Sequence, residues 1–468
     1  MRKFDADHIH FVGIGGYGMS GLAKVLHQRG FRVSGCDATD SPRTRYLASV
    51  GIPVSIGHDP SHLDSVDTVV YSTDVPGDNI ELEAARESGR TVLHRSDVLG
   101  WFLNEGHGIA ISGTHGKTTT TALAGLTLAE AGYDPTVFVG GEVPQLGGTA
   151  RAGRGPWVVA EACESDGTLS RYRPRFSLIS GIEPEHLDHH DGDIGALIRS
   201  FETLIEQTDS QGRVILCADD PVLLDLSSQV SPPARLYGLS REAQVRVVNP
   251  RLLPGETRWE LLVEGSSHGE FSSPLPGLHN AVNSAAVAAL LLELGGDLES
   301  LRRVLESFRG VKRRFQALPS AGGVQIVSDY AHHPTEIKAT IQAAQQYRPE
   351  RIIAVFQPQR FSRTRDLWEQ FAEAFGEADV AVLTEIYSPV GEEPLEGVTG
   401  EALAREVLRH RSGPTVFMPS LDEVRDHLLG EIRSGDLVLV MGAGDVWRLA
   451  ENLSKALTGS EPQRKAQG

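Results

Sequence analysis

Apolar residues fall in short runs that stop abruptly at glycines or polar clusters, and the rhythm repeats along the chain. His10-Phe11-Val12 leads into a glycine-rich turn through Gly21, and residues 22–29 then carry helical spacing. Residues 31–37 form a second strand-like run ending in Asp37, and further runs follow at 52–54 and 67–72. Runs this short, bounded by turn residues, suit strands buried on both faces. Their alternation with helical segments predicts a parallel sheet covered by helices.

The pattern restarts twice. Gly108 to Ser112 is a buried-type strand opening a second zone, with strands at 157–161 and 176–180. The stretch 240–275 carries β-like runs at 244–248 and 259–263 and reads as an antiparallel addition, before an Ala- and Leu-rich helix over 280–294. A third zone starts near Pro319, with buried strands at 352–356, 380–383 and 437–441, the last closed by Gly442-Ala443-Gly444-Asp445. The expected fold is α/β in three domains: 1–105, 106–318 and 319–468. The first and third are Rossmann-like, and the central one is a P-loop ATPase-type mononucleotide-binding domain.

Composition narrows the function. The chain has 468 residues, 44 Lys and Arg against 62 Asp and Glu, and a net charge of −18. So acidic a protein is not built to coat nucleic acid or an anionic membrane, because neutralising phosphates needs a basic surface. It can still hold a small anion on local cations and backbone N–H groups. The three cysteines, Cys36, Cys163 and Cys217, are far apart, with no CxxC pair, so neither a disulfide framework nor a zinc site is signalled and a reducing cytoplasm is expected. The N-terminus lacks the apolar core of a signal peptide, no run of about 18 uncharged apolar residues is present, and no membrane insertion is expected. The polar residues 459–468 read as a frayed end.

The strongest motif is Ser112-Gly113-Thr114-His115-Gly116-Lys117-Thr118-Thr119, which follows a strand and opens a helix, as a phosphate loop requires. Glycines let backbone N–H groups turn toward phosphate oxygens, and the helix N-terminus favours negative charge. Lys117 can reach the outer phosphates and the Thr118 hydroxyl can ligate Mg²⁺. The strict pattern would put its first glycine at Ile111. An ordinary strand-to-helix turn is the plainer alternative.

Gly13-Ile14-Gly15-Gly16-Tyr17-Gly18 satisfies G-x-G-x-x-G, with Asp37 ending the next strand where an acid meets a ribose hydroxyl. NAD or FAD, a UDP-sugar diphosphate, or a tight structural turn all fit it. Glu161-Ala162-Cys163-Glu164-Ser165-Asp166 follows a strand and could aim a carboxylate at Mg²⁺ on the phosphate loop, or be a charged turn. Residues 183–190 hold three His and three acids, which could complete a Mg²⁺ or zinc shell or be solvated surface. Two basic clusters, Lys312-Arg313-Arg314 and Arg360 to Arg365, and the turn Tyr330-Ala331-His332-His333 come at strand ends, where open α/β sheets bind ligands. Arginine suits bidentate capture of phosphate or carboxylate. Surface ion pairs and a helix start at Thr335-Glu336 are the structural alternative.

Taken in order, these motifs resemble the Mur ligase family over nearly the whole chain. Residues 10–21 with Met19-Ser20-Gly21 look like its UDP-binding loop, and Gly113 to Thr121 like its ATP loop. Glu161 to Asp166 resembles the family's Glu-Ala-Asp-Glu-Ser-Asp, and Glu183-Pro184-Glu185-His186-Leu187-Asp188 its Glu-Pro-Asp-His-Leu-Asp. His279-Asn280-Ala281-Val282-Asn283 is similar to its His-Asn-x-x-Asn beside adenine and ribose. Residues 310–315, 329–336 and 356–366 match in order and spacing. Departures are Cys163 for Asp, Ser180-Gly181 for Thr-Asn, Gln359 for His and Ala331 for Gly.

The resemblance implies three domains, the last closing over the other two. It implies an ATP-dependent amide-forming reaction: UDP-N-acetylmuramate is activated as an acyl phosphate and joined to L-alanine, in peptidoglycan synthesis. It assigns ATP to Gly113, Thr114, His115, Gly116, Lys117, Thr118, Thr119, His279, Asn280 and Asn283, and Mg²⁺ to Thr118, Glu161 and His186. It assigns the UDP-sugar to Gly13, Gly15, Gly16, Gly18, Met19, Ser20 and Asp37. Arg314, Tyr330 and His332 fall to substrate, and Lys117, His332, Arg360 and Arg363 to catalysis. It leaves room for a homodimer. The nearest rival is a recycling ligase that adds a preformed tripeptide to the same UDP-sugar. Its opening loop usually lacks Gly-Gly-x-Gly-Met-Ser-Gly, which is present here. A nucleotide-binding regulatory protein would need no Glu161, His186 and Lys117 together. An NAD-dependent oxidoreductase leaves the second loop unexplained.

Overall fold

The computed structural model describes residues 6–105, 107–164, 167–184, 193–388 and 392–459. His186 and residues 460–468 lie outside that set. The chain forms two compact units, one of residues 1–249, 260–271 and 282–311, the other of 250–259, 272–281 and 312–468. No described helix is long and apolar enough to cross a membrane.

The first unit carries one whole sheet and most of a second. Strands β1 (His8–Val12), β2 (Arg32–Asp37), β3 (Val54–Ile56), β4 (Thr68–Tyr71) and β5 (Thr91–His94) form a parallel sheet in the order 3-2-1-4-5. This is a doubly wound order whose direction reverses beside β1, at the glycine-rich loop. The helix after that loop spans Tyr17–Gln28, starting earlier than its apolar spacing predicts. Gly18 and Gly21 weaken the helical pattern, but Gly21 lets the helix lie close to Thr149 and Ala150, where a Cβ would stand 3.1 Å from either side chain.

The second sheet has ten strands: β6 (Gly108–Ser112), β7 (Thr136–Val143), β8 (Gly148–Arg151), β9 (Val158–Glu161), β10 (Phe176–Ile179), β11 (Arg213–Cys217), β12 (Arg235–Gly238), β13 (Val245–Leu253), β14 (Glu256–Val263) and β15 (Ser266–Ser273). Its order is 15-14-13-12-11-10-6-9-7-8, which puts β6 between β10 and β9. The expected antiparallel addition is corrected in one respect: β13 joins β12 in parallel. The next two strands follow through short turns with positive φ at Gly255, Glu264 and Gly265, a connection that only antiparallel neighbours permit.

The second unit holds β16 (Gln316–Leu318), β17 (Gln325–Asp329), β18 (Arg351–Phe356), β19 (Val380–Leu383), β20 (Thr415–Phe417) and β21 (Asp436–Met441), in the order 16-17-21-18-19-20. Among the described strands of this sheet, β16 and β17 pair antiparallel and the others parallel. Side chains alternate between two cores: Ile352, Ala354 and Phe356 face one layer of helices, Ile353 and Val355 the other. Burial on both faces explains why these strands read as continuous apolar runs. Each large side chain so buried contributes roughly 2 kcal/mol. The ends of β17, β21 and β18 therefore lie side by side on one sheet edge.

Candidate active site

The central loop follows β6 and opens the helix Lys117–Glu130. Gly113 and Gly116 sit at φ +120° and +79°, where an L side chain is strained. A Cβ on Gly113 would also collide with Ser180. The loop is braced from β10: the Ser180 hydroxyl donates to the Ser112 and His115 carbonyls, and the Thr114 N–H donates to the Gly181 carbonyl at 2.9 Å. The unusual Ser180-Gly181 pair thus supports the loop directly. The Glu183 N–H donates to the Thr114 hydroxyl at 2.8 Å, and the Glu183 carboxylate lies 3.4 Å from His115 Nε2.

The helix N-cap is Gly116, which has no side chain to cap with. The helices opening at Ile80, Ile194 and Pro221 are capped by Asn79, Asp193 and Asp220. An uncapped N-terminus behind a glycine loop is a seat for an anion.

Lys117 Nζ donates to the carbonyls of Gly113 (2.5 Å) and Thr114 (3.0 Å) and to Glu164 Oε1 at 2.9 Å. Glu164 is 1% exposed. Glu164 lies in the same acidic motif as Glu161, the residue expected to hold Mg²⁺; its pairing with Lys117 is tertiary and leaves no local pattern. Thr118 donates its hydroxyl to Glu161 Oε1 at 3.2 Å, and the Gly140 N–H donates to Glu161 Oε2 at 2.8 Å. Thr118 and Glu161 thus offer adjacent oxygens, and an all-oxygen donor set fits Mg²⁺. Thr119 follows on the half-buried helix start. Asn283 stands beside the loop, since a Cβ on Gly116 would lie 2.8 Å from its Oδ1. His279 and Asn280 begin the helix that carries it, Asn280 Nδ2 donating to the Pro276 carbonyl at 2.7 Å.

The first loop is arranged differently. The Gly13 and Ile14 amides both donate to the Cys36 carbonyl at 2.9 Å, and Gly16 to the Gly13 carbonyl at 3.2 Å. The Gly15 amide donates to Asp37 Oδ2 at 2.9 Å, and that of Thr39 to Oδ1 at 3.1 Å. Asp37, expected to meet a ribose hydroxyl, thus anchors the loop through one amide on each carboxylate oxygen, which leaves each oxygen a further acceptor site. Met19 and Ser20, expected to face substrate, are 2% and 5% exposed. They lie on the helix that packs on β8, where Ser20 Oγ is 3.4 Å from Thr149 Oγ1 and Lys24 Nζ donates to the Gly147 and Ala150 carbonyls. The cations at this loop are Arg43, whose Nε donates to the Gly15 carbonyl at 2.5 Å, and Arg95, 3.7 Å from where a Cβ on Gly18 would stand.

The sheet edge of the second unit gathers the basic clusters. Arg313 Nη2 donates to the Gly442 and Gly444 carbonyls at 2.8 and 3.1 Å. The Arg313 and Arg314 guanidiniums stand 4.7 and 5.2 Å from the centre of the Tyr330 ring. His332 Nδ1 is 2.9 Å from the Tyr330 carbonyl and 3.1 Å from Glu336, which also lies 3.5 Å from Arg314. The predicted helix start is met: Pro334–Gln345 is capped by His333 with Glu336 closing the box. Arg363 donates to Gln359 Oε1 at 2.8 Å, and Arg360 sits at φ +69°. Glu392 accepts from the Phe361 and Ser362 amides and the Ser362 hydroxyl; burial pushes its pKa up, but these donors outweigh it and hold it below the usual range. Asp329 accepts from the Phe315 and Ala331 amides at 2.5 and 2.7 Å, and burial pushes its pKa up to about 6 against those donors and Arg314. Asp329 and Glu336 lie inside a stretch the sequence singled out, whereas nothing local marks Glu392.

Three family models match the chain: the Mur ligase family catalytic domain over residues 8–107, the Mur ligase middle domain over 111–291, and the Mur ligase glutamate ligase domain over 313–444. The chain is 45% identical to the UDP-N-acetylmuramate–L-alanine ligase of Symbiobacterium thermophilum, over 98% of this chain and 97% of that one. It is 42% identical to the enzyme of that name from Halorhodospira halophila, over 96% and 93%. The crystal structure of the UDP-N-acetylmuramate–alanine ligase of Thermotoga maritima superposes with a TM-score of 0.83 at 29% identity, covering 97% of this chain and all of that one. A murein peptide ligase from Psychrobacter arcticus shares the fold, with a TM-score of 0.68 at 22% identity over 96% and 98%.

Proposed function

The chain belongs to the Mur ligase family, and from that premise we propose that it joins L-alanine to UDP-N-acetylmuramate at the expense of ATP, releasing ADP and phosphate. The two full-length relatives, at 45% and 42% identity, carry that activity in their names, while the peptide ligase, at 22%, shares the fold. The observation that carries the chemistry is the pairing at the central loop: Lys117 held against Glu164, and Thr118 against Glu161, at an uncapped helix start.

A carboxylate is a poor electrophile, so it must first take phosphate from ATP and become an acyl phosphate, which the alanine amine then attacks. Two anions must meet for the first step. Lys117 is positioned to exchange its loop carbonyls for phosphate oxygens and to neutralise charge that builds in the transition state. Thr118 and Glu161 would hold Mg²⁺, which when bound neutralises phosphate charge. Arg314, Arg360 and Arg363 supply cations, and His332 and Tyr330 polar surface, for the carboxylates of the acceptor and the amino acid. Their assignment rests on the family resemblance and on their shared sheet edge. The loop after β1, with Arg43 and Arg95 beside it, is the seat for the UDP diphosphate.

Phosphate release from ATP tests the reading, with UDP-N-acetylmuramate and, separately, L-alanine, L-serine, glycine and the tripeptide as acceptor. Release dependent on L-alanine is expected. Release with the tripeptide but not with L-alanine would select the recycling reaction, and no release with any amine from folded protein would refute ligation.

A further inference from the structure

The first domain contains a cluster of metal-ligating side chains that ligation does not use. Glu81, on the helix Ile80–Glu87, has no exposed surface, and ligand-type groups converge on it from β1, β2 and the segment 58–62. Its Oε2 lies 3.1 Å from His10 Nε2 and 3.1 Å from Cys36 Sγ. Its Oε1 lies 2.9 Å from His62 Nδ1 and 3.7 Å from His58 Nδ1, which is itself 3.3 Å from Cys36 Sγ.

These distances are informative. Metal bonds of about 2.0–2.3 Å in a tetrahedron put neighbouring donor atoms roughly 3.3–3.8 Å apart; Glu81 Oε2 stands near that spacing from both His10 Nε2 and Cys36 Sγ, and the three donor atoms lie within 4.8 Å of one another. The set is one thiol, imidazoles and one carboxylate, which suits borderline and thiophilic ions and not Mg²⁺ or Ca²⁺. His10 is oriented from behind: its Nδ1 is 2.9 Å from Ser34 Oγ, leaving Nε2 toward the cluster. Such an outer partner fixes ring and tautomer at metal sites. A cavity of about 490 Å³ lined by His8, His10, Ser34 and His62 borders the cluster at its two histidines. A buried carboxylate needs only amide or arginine donors to be satisfied, and it has one such donor in the Asp59 N–H at 2.9 Å. The thiol and imidazoles add ligand chemistry to that requirement.

We infer that His10, Cys36 and Glu81 form a binding site for a thiophilic divalent cation of the zinc class, with His58 beside Cys36 and His62 holding the second Glu81 oxygen. Binding replaces the Cys36 S–H proton, which leaves to solvent, and the thiolate and carboxylate together balance the dication. Because the Cys36 carbonyl accepts both the Gly13 and Ile14 amides, an ion there would also stiffen the strand end that carries the first glycine loop.

The test uses the full-length protein, stripped with chelator and titrated with Co²⁺. One equivalent should produce a near-ultraviolet thiolate-to-cobalt band and intense visible d–d bands, both removed by added Zn²⁺. Cys36→Ser should lose the thiolate band, while Cys163→Ser, which alters a partly exposed thiol of the central domain, should keep it. X-ray absorption of the zinc-loaded wild-type protein needs no variant and should find one sulfur in the metal's shell. Weak d–d bands alone, a thiolate band that survives in Cys36→Ser, or a shell of oxygen and nitrogen only would overturn the proposal and leave a hydrogen-bonded network.

Discussion

The two glycine loops of the first unit look alike in sequence and differ in how their polar groups are used. Each follows a buried parallel strand and opens a helix with no side-chain cap. In the first loop Gly13, Ile14, Gly15 and Gly16 spend their amides inside the domain, and Asp37 ties the loop to the end of β2. In the second, the acids Glu161 and Glu164 engage the side chains of Thr118 and Lys117, which are the groups that phosphate chemistry uses. The first is a loop shaped by its own hydrogen bonds and suits binding. The second holds cation and acid in reserve, so a phosphate can exchange with partners already present at low reorganisation cost.

The largest effect should come from breaking the second loop. Lys117→Ala is expected to lower kcat by roughly 10³-fold, since one cation at a transferring phosphoryl group is worth that order. It also removes the ion pair that Lys117 makes with the buried Glu164, and taking one partner out of a buried pair costs about 3–5 kcal/mol. Lys117→Met combined with Glu164→Gln should therefore recover the denaturation midpoint while leaving phosphate release abolished. Recovery of turnover in the double variant would show that the lysine only neutralises Glu164.

The first loop should respond in binding and not in chemistry. Asp37→Ala removes the acceptor for the Gly15 and Thr39 amides, each a charge-assisted bond worth about 1.5–3 kcal/mol before the loop relaxes. The expected outcome is a KM for the UDP-sugar raised about tenfold, with kcat and the KM for ATP within about a factor of two. A fall in kcat at saturating substrate would put Asp37 in the chemistry and erase the contrast between the loops.

What was legible follows the same division. The strand runs around 108–112, 352–356 and 437–441 were readable because strands buried on both faces leave continuous apolar words, and the second loop because its residues are contiguous. Glu164 lies in the acidic motif after β9, but only tertiary structure distinguishes it from Glu161 as the lysine's partner. Met19 and Ser20 are assigned to substrate by the resemblance of residues 10–21 to a UDP-binding loop; that the helix begins at Tyr17 and buries their side chains is a tertiary fact that the motif does not carry. The small residues Ser20, Gly21 and Ala23 were the available sign of close packing against β8. The β12–β13 pairing escaped because parallel and antiparallel partners share one local pattern.

The smallest effect extends the comparison to a loop without glycines. Asp329 does at the end of β17 what Asp37 does at the end of β2, holding two loop amides, but it is buried and its pKa is pushed up to about 6 from an ordinary 3.8 by that burial, against Arg314 and the amides. A carboxyl whose folded pKa is raised binds more protons in the folded than in the unfolded chain, so its contribution to stability is complete below the unfolded value and is lost as pH rises through the folded one. Stability from this group should therefore decline between about pH 4 and pH 6. Asp329→Asn mimics the protonated form and should remove that decline, so the difference in urea midpoint between wild type and variant should shift in the variant's favour across the window and flatten above it. A difference that stays constant over the window would mean that the two amide donors outweigh burial, and that Asp329 and Asp37 are equivalent anchors.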